Sequence, residues 1–469
     1  METIKFIPDE VMALNYIKGL IKGTEYENHV FLVGGAVRDS IMGNPIKDID
    51  LCIDLPNGGI EFAVWIMKKT GQYKEGTRPC VYPTYGTAMF TLINFPNIDI
   101  ECVQTRKEQY HDSNSRNPET AYGTLEEDCY RRDLTINSLY KNISTDEIVD
   151  ITGNGINDIK NHIIRTPCDP NITYTDDPLR MLRCIRFASR YGWDIEEKTL
   201  QGIIDNVERI QIITQERITD EINKILLTKK PSVGLRMLEK TGLLQYILPD
   251  FVEMVNLEQN EYHFGTAWEH TLMVVDNAKP ILENRVAALF HDLGKIKTQT
   301  FDEKGKVHFY NHENVSAFLS EVRMKTMKYP NDIIKRVRKA VNAHMRTKSF
   351  GDECAKLTDK SVRKLQLALG DTFDLTMDLI DADNRAHKSE HCMPNQVRII
   401  KERSDKLVEQ GLDAFKLRLP INGDDIIEYL NIEPGPKVKT YLDYLTKLWL
   451  AKPTITKEEC FKHIKNAKL

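Results

Sequence analysis

The sequence predicts an α+β protein, with a strand-rich head over roughly the first 150 residues and an all-helical body behind it. Short apolar or alternating runs bounded by Gly, Pro or Asn fall at His29–Val33, Ile49–Ile53, Thr87–Ile93 and Ile98–Val103, the period-two pattern of strands. From Asp177 onward apolar residues recur at spacings of three and four, the helical period. Pro249-Asp250 and Pro330-Asn331 separate helices, and Pro434-Gly435-Pro436 marks a turn near the end. At roughly 150 residues per domain, 469 residues suggest about three domains.

Composition narrows the class. Charged residues make up 28% and hydrophobic residues 41%, which argues against a disordered, collagen-like or membrane chain. No apolar run approaches the roughly 20 residues of a membrane helix, so no membrane partner is expected. The opening Met1-Glu2-Thr3-Ile4-Lys5 lacks the layout of a signal or transit peptide. Nine scattered cysteines without a CxxC pair read as reduced thiols, so a cytoplasmic location is expected. With 64 basic against 69 acidic side chains, any nucleic-acid contact must use local basic surface. Residues 323–348 are the candidate, with nine Lys or Arg against the single acid Asp332. That run reads either as a solvated helix face or as a phosphate-contacting surface.

The first motif is Val33-Gly34-Gly35-Ala36-Val37-Arg38-Asp39, which follows a strand pattern and opens a helical one. Glycine there either makes a plain tight turn or lets backbone N–H groups approach a phosphate. Ten residues on, Asp48-Ile49-Asp50-Leu51 opens a strand pattern, in which residues i and i+2 share a face. Two such carboxylates either line a solvated strand edge or bracket divalent cations for phosphoryl transfer. Magnesium favours these hard oxygen ligands. Glu101, in a later strand-like run, can be brought alongside by a neighbouring strand.

Further on, Asp177-Pro178 suits a helix opening. Leu179, Leu182 and Ile185 then form an apolar stripe, with Arg180 and Arg183 one turn apart on another face. Besides an ion-paired surface, this set allows a sharper reading. Cytosine and adenine both present an amino donor beside an unprotonated ring nitrogen, which a carboxylate and an arginine can match. Uracil and guanine would meet two mismatched contacts, costing about 1–3 kcal/mol each if buried. Asp177 and Arg180 can therefore select C and A without a template.

Together these residues carry a family likeness. Gly34-Gly35-x-x-Arg38-Asp39 followed by Lys47-Asp48-Ile49-Asp50 resembles the head signature of the bacterial-type (class II) tRNA nucleotidyltransferase and poly(A) polymerase family. The family order continues through Tyr85-Gly86-Thr87, Ile100-Glu101-Cys102, Arg131-Arg132-Asp133-Leu134-Thr135-Ile136-Asn137, Asp176-Asp177-Pro178-Leu179-Arg180 and Glu216-Arg217-Ile218. The resemblance implies that Asp48 and Asp50 hold catalytic Mg²⁺, with Glu101 a third carboxylate. It implies triphosphate contacts from the glycine pair Gly34-Gly35 and from Arg38, and nucleotide or ribose contacts from Arg132, Asp133 and Asn137. Arg183 and Arg186 would line the nucleotide site with Asp177 and Arg180. Position 176 is Asp where the commonest family motif has Glu.

Trp268-Glu269-His270-Thr271, His291-Asp292-Leu293-Gly294-Lys295, His312 and Asp383 resemble the HD metal-dependent phosphohydrolase signature. A nitrogen and oxygen ligand set from His270, His291, Asp292 and Asp383 suits a divalent transition metal or Mg²⁺, with His312 and His344 as further candidates. The resemblance thus implies a nucleotidyltransferase head with a small mixed sheet at 1–152 and a base-recognising helical neck at 153–255. An HD domain at 256–390 and a helical tail at 391–469 complete the expected layout. The expected activity is addition of C and A to the tRNA 3′ end from CTP and ATP, by a monomer or dimer, with HD phosphodiesterase or phosphatase activity in addition. The alternatives are a poly(A) polymerase, a partial CC- or A-adding enzyme, or an HD phosphohydrolase with a nucleotide-sensing head.

Overall fold

The structure, a computed structural model, describes residues 8–74, 78–109 and 118–467. It divides into two compact units: Met1–Ile225 with Val233–Ile247, and Leu226–Ser232 with Leu248–Leu469. Among the described residues no helix is long and apolar enough to cross a membrane, and all nine cysteines are free.

In the first unit the strands are β1 (Val30–Val33), β2 (Ile49–Ile53), β3 (Cys80–Tyr82), β4 (Thr87–Leu92), β5 (Phe95–Gln104), β6 (Arg106–Gln109), β7 (Glu119–Tyr122), β8 (Tyr140–Asn142) and β9 (Ile148–Val149). Seven of them form one mixed sheet in the order β3-β4-β5-β2-β1-β8-β9, while β6 and β7 pair separately. The four sequence-expected runs are β1, β2, β4 and β5. Sequence reading missed the other three strands of this sheet, β3, β8 and β9, which have three residues or fewer, and the four-residue pair β6 and β7, all too short to display a clear period.

Strand β2 lies inside the sheet, between β1 and β5, and Ile49, Leu51, Cys52 and Ile53 are fully buried. Asp50 is the polar exception, and the parallel register sets it directly opposite Glu101 of β5. Helix α1 (Asp9–Ile21) precedes β1, and α2 (Gly35–Ile41) links β1 to β2. Gly34 caps α2 with φ at 63°, a conformation that a residue with a Cβ adopts only under strain. Helix α3 (Gly58–Lys69) covers the sheet with buried Phe62, Ala63 and Ile66. Helix α4 (Leu125–Tyr130) starts at a capping box between Thr124 and Glu127.

Helices α5 (Gly155–Asn161), α6 (Pro170–Asp176) and α7 (Leu179–Tyr191) begin the neck. Asp177 is extended between α6 and α7, one residue before the N-cap Pro178 rather than at the N-cap itself, and its Oδ1 accepts from the Leu179 N–H at 3.1 Å. The expected stripe on α7 is present and wider, since Met181, Cys184 and Phe187 are buried as well. Each large aliphatic side chain so buried contributes about 1.5–3 kcal/mol relative to exposure.

The second unit is helical apart from a short hairpin, Gln299–Phe301 with Val307–Phe309. Helices Ala267–Asn277, Asn331–Ala343 and Phe373–Arg385 pack around Leu282–Phe290, whose residues from Asn284 to Phe290 are all buried. The tail has its own core around Ile426, Tyr441, Leu445 and Trp449. Pro330 precedes Asn331–Ala343, and Pro436 opens Pro436–Ala451, as the sequence breaks anticipate.

The basic run at 323–348 is largely neutralised by acids outside it. Arg323 pairs with Asp250, Lys325 and Arg338 with Glu321, Arg336 with Glu283 and Asp371, and Lys348 with Asp383. Lys339 donates to the Leu369 carbonyl. Chain-local counting could not see these partners, so the surface carries less free positive charge than its composition suggests.

Candidate active site and metal centre

In the first unit, Asp50 and Glu101 stand side by side on β2 and β5, and both are half-buried. Asp48 lies one residue before β2 and is exposed, so its direction is not fixed by the strand pleat that sequence reading invoked. It still acts on Asp50. The Asp50 carboxyl is pushed up to about 6 by burial, with Glu101 and Asp48 adding to the effect and Arg132 opposing it. A half-buried, crowded set of acids is the donor chemistry that a hard divalent cation relieves.

Asp50 and Glu101, though not Asp48, border a cleft of about 400 Å³ also lined by Tyr82, Tyr85, Arg106, Arg131 and Arg132. A second cavity of about 290 Å³ is lined by Asp133, Asp177, Arg180, Arg183 and Arg217, again with Arg131 and Arg132. The two arginines are thus common to both cavities.

Gly34 lies close to this wall: a Cβ built there would stand 3.8 Å from Nη1 of Arg132. Gly35 opens α2, and a Cβ on it would meet the Arg38 guanidinium at 3.3 Å. Arg38 is turned inward. Its Nε and Nη2 donate to Asp39 at 2.9 and 3.0 Å, its Nη1 donates to Asn137 Oδ1 at 2.5 Å, and Phe187 and Tyr191 lie 5.2 and 5.5 Å from its guanidinium.

From Arg38 a buried chain of hydrogen bonds runs into the neck. Asn137 Nδ2 donates to Asp133 Oδ1 at 3.1 Å, and Asp133 Oδ2 accepts from Nε and Nη2 of Arg183 at 2.8 and 2.7 Å. Asp133 therefore holds an arginine of the second cavity. Burial alone would raise its carboxyl, but Arg183 and Asn137 outweigh it and bring it down to about 2. A lowered folded value stabilises the fold above the usual carboxylate range, and that gain is lost as pH falls through about 2. Asp133→Asn is expected to cost about 2 kcal/mol in urea unfolding at pH 7, a deficit that shrinks between pH 5 and 2. An unchanged deficit across that range would contradict this reading.

Arg180 is 9% exposed rather than solvated as the sequence suggested. Its Nη1 donates to the Thr173 carbonyl at 3.2 Å and its Nη2 to the Arg131 carbonyl at 2.7 Å, because α6 and the turn after α4 close over it. Asp177 accepts from Nη2 of Arg217 at 3.3 Å. Arg217 was visible in the Glu216-Arg217-Ile218 motif, but nothing in the sequence linked it to Asp177. Arg186 donates to Glu221 at 2.6 Å and is not among the residues lining this cavity, where the family likeness had put it. Asp176 is half-buried, and burial raises its carboxyl.

The second unit gathers the other motif. His270, His291, Asp292, His312, His344 and Asp383 are all buried around a cavity of about 420 Å³ or just beneath it. Asp292 divides this cluster. Its Oδ2 lies 3.5 and 3.1 Å from Nε2 of His270 and His291, and its Oδ1 lies 3.2 and 3.8 Å from Nε2 of His312 and His344. His270 Nε2 is 3.1 Å from Asp383 Oδ1.

Backbone contacts aim the rings. Nδ1 of His291, His312 and His344 sits 2.7–2.8 Å from the carbonyls of Ala288, Phe309 and Val341, each three residues upstream. As donors there, they turn the Nε2 lone pairs inward. Nε2 of His291 is buried facing carboxylate oxygens of Asp292 and Asp383 at 3.1 and 3.9 Å, with no well-formed hydrogen bond among the described residues, as suits a metal-ligating nitrogen. Gly294 allows the close packing, since a Cβ there would overlap the His312 carbonyl oxygen. Burial pushes His270 down to about 4 and His344 down to about 3, so both present neutral imidazoles. Lys295 and Lys348, which sequence reading did not assign, pair with Asp292 at 2.7 Å and Asp383 at 2.9 Å. Two groups with all donor atoms within 4.8 Å result, His270/His291/Asp292 and Asp292/His312/His344. The three head acids, all among the described residues, are not gathered that tightly. The residues of the second unit thus fit divalent metal ions.

Comparison with known proteins agrees with this organisation. Residues 30–165 match the family described as "Poly A polymerase head domain", 192–254 match "Probable RNA and SrmB- binding site of polymerase A", and 267–401 match "HD domain". The chain is 28% identical over 441 residues to the CC-adding tRNA nucleotidyltransferase of Thermus thermophilus, covering 92% of this chain and 91% of that one. It is 35% identical over 227 residues to the mitochondrial CCA tRNA nucleotidyltransferase of Candida glabrata, covering 45% of this chain and 42% of the relative. The fold resembles the crystal structure of the Bacillus stearothermophilus CCA-adding enzyme in complex with CTP, with a TM-score of 0.69 at 21% identity over 98% of each chain. The order of head, neck and HD matches, with homology along nearly the whole chain, makes this protein a member of the tRNA nucleotidyltransferase and poly(A) polymerase family, in its HD-bearing form.

Proposed function

We propose that the chain adds C and A to the 3′ end of tRNA, taking CTP and ATP and releasing pyrophosphate. The observation that carries this is one shared wall. Arg131 and Arg132 line both the cleft beside Asp50 and Glu101 and the cavity beside Asp177 and Arg180. A nucleotide can thus lay its triphosphate in the first and its base in the second. Asp48, Asp50 and Glu101 would hold Mg²⁺, which supplies Lewis-acid charge at the RNA 3′ hydroxyl and the triphosphate. Arg132 offsets phosphate charge, and the Gly34-Gly35 turn admits the phosphates close to the backbone.

For base choice, Asp177 exchanges Arg217 for the amino group of C or A, and Arg180 donates to the ring nitrogen. Asp177→Ala is expected to lower kcat/KM for CTP and ATP by about 10- to 100-fold, with a much smaller change for UTP, since one charge-assisted contact is lost. Single-nucleotide incorporation with each NTP measures this, and undiminished preference for C and A would contradict it. The Thermus relative's name favours a narrower second reading, C addition alone. A tRNA ending in CC that accepts no A would support that narrower form.

In the second unit we propose phosphate-ester hydrolysis at two cation positions that share Asp292. Its Oδ2 serves with His270, His291 and Asp383, and its Oδ1 with His312 and His344. Nitrogen and oxygen donors of this kind suit a divalent transition metal or Mg²⁺. The functional parts are then a head at 1–152, a neck at 153–255, an HD domain at 256–390 and a tail at 391–469.

A further inference from the structure

Asp128 is fully buried in α4, where a carboxylate persists only if its charge is matched. Its two oxygens are divided between the two arginines of the shared wall. Oδ1 accepts from Nε and Nη2 of Arg131 at 2.9 and 2.5 Å, and from the Arg106 backbone N–H at 3.3 Å. Oδ2 accepts from Nε and Nη2 of Arg132 at 3.1 and 2.8 Å, and from the Tyr140 hydroxyl at 2.6 Å. The Tyr140 ring lies 5.1 Å from the Arg132 guanidinium, so that cation is fixed between a carboxylate and an aromatic face. The Arg131 carbonyl in turn holds Nη2 of Arg180 at 2.7 Å. Asp128 does not itself line either cavity.

We infer that Asp128 is a positioning residue for nucleotide choice, setting through Arg131 and Arg132 both the phosphate-side charge and the placement of Arg180. The inference rests on the proposed nucleotide-adding function. The two guanidinium groups, outweighing burial, hold its carboxyl well below the usual range, so the clamp is charged at any pH at which the protein would work. An amide cannot replace it. The side chain introduced by Asp128→Asn would keep one acceptor oxygen and turn an N–H₂ group toward the other arginine, donor against donor. The released arginine then reorients, and Arg180 loses the fixed carbonyl behind it.

The test compares the full-length protein with its Asp128→Asn and Tyr140→Phe variants. Steady-state incorporation of CTP, ATP and UTP is followed on tRNA ending at the discriminator base and at CC. Asp128→Asn is expected to raise KM for CTP and ATP at least about tenfold and to lower the ratio of C to U incorporation at least about tenfold, the size of one lost charge-assisted contact. Tyr140→Phe, which keeps both arginine pairs, is expected to shift the same quantities in the same direction by less. A purely structural role would reduce the active fraction, lowering kcat with KM and the C:U ratio unchanged. That result in a folded Asp128→Asn protein overturns the inference. If Asp128→Asn does not fold, Tyr140→Phe decides: an altered KM and ratio support the inference, and wild-type values overturn it. A wild-type protein that adds no nucleotide speaks against the proposed function itself, whereas an active wild type with an insensitive Asp128→Asn speaks against this inference alone.

Discussion

Asp50→Ala is expected to reduce nucleotide incorporation by about a thousandfold or more while leaving the first unit folded. In-line phosphoryl transfer depends on charge stabilisation and positioning, so losing a cation-holding carboxylate removes the main catalytic contribution. Little stability should be lost with it. Burial and the neighbouring Glu101 and Asp48 already disfavour the Asp50 charge, so its removal relieves the fold at neutral pH. Labelled CTP incorporation and a thermal melt on the same preparation check both halves. Asp48→Ala should behave similarly in activity, and retained incorporation in either variant would defeat the cation assignment.

The second large effect lies in the other unit. Substituting His291→Gln together with Asp292→Asn is expected to abolish metal binding there and the proposed phosphate-ester hydrolysis, with nucleotide addition retained. In the proposed arrangement Asp292 would serve both positions, so its loss should prevent binding at both, whereas His312→Gln with His344→Gln should prevent binding at one and leave the other. Elemental analysis of the protein after metal loading reads this as two, one or no ions per chain. Equal loss of hydrolysis and of nucleotide addition in the His291/Asp292 variant would contradict the separation of the two sites.

Much of this was legible in the sequence because it rested on local chemistry. β1, β2, β4 and β5 announce themselves by apolar runs long enough to show a period, and the adjacent His291-Asp292 pair limits where a ligand set can sit. The three-residue strands β3 and β8 are formed by pairing with neighbours that are distant in sequence, so no local signal exists for them. The same holds for function. Glu101 was suspected, but its register opposite Asp50 is a property of the parallel pairing. Arg180 reads in the sequence either as part of an ion-paired surface or as a base-selecting residue, and its burial is not visible there because it depends on carbonyls at Thr173 and Arg131. Asp128 belongs to no motif singled out in the sequence, and its partners include Arg106 and Tyr140, 22 and 12 residues away. For the basic run at 323–348, which reads either as a solvated face or as a phosphate-contacting surface, the sequence does not show counter-charges that sit up to 73 residues away.

The account turns on a nucleotide being added where Asp50, Glu101 and the Arg131–Arg132 wall meet. Incubating the protein with tRNA transcripts ending at the discriminator base, C or CC, with Mg²⁺ and each labelled NTP in turn, tests this most directly. C should be added to the first two and A to the third, with U and G refused throughout and all addition gone in Asp50→Ala. Addition that persists in Asp50→Ala, or that accepts all four nucleotides alike, would contradict it.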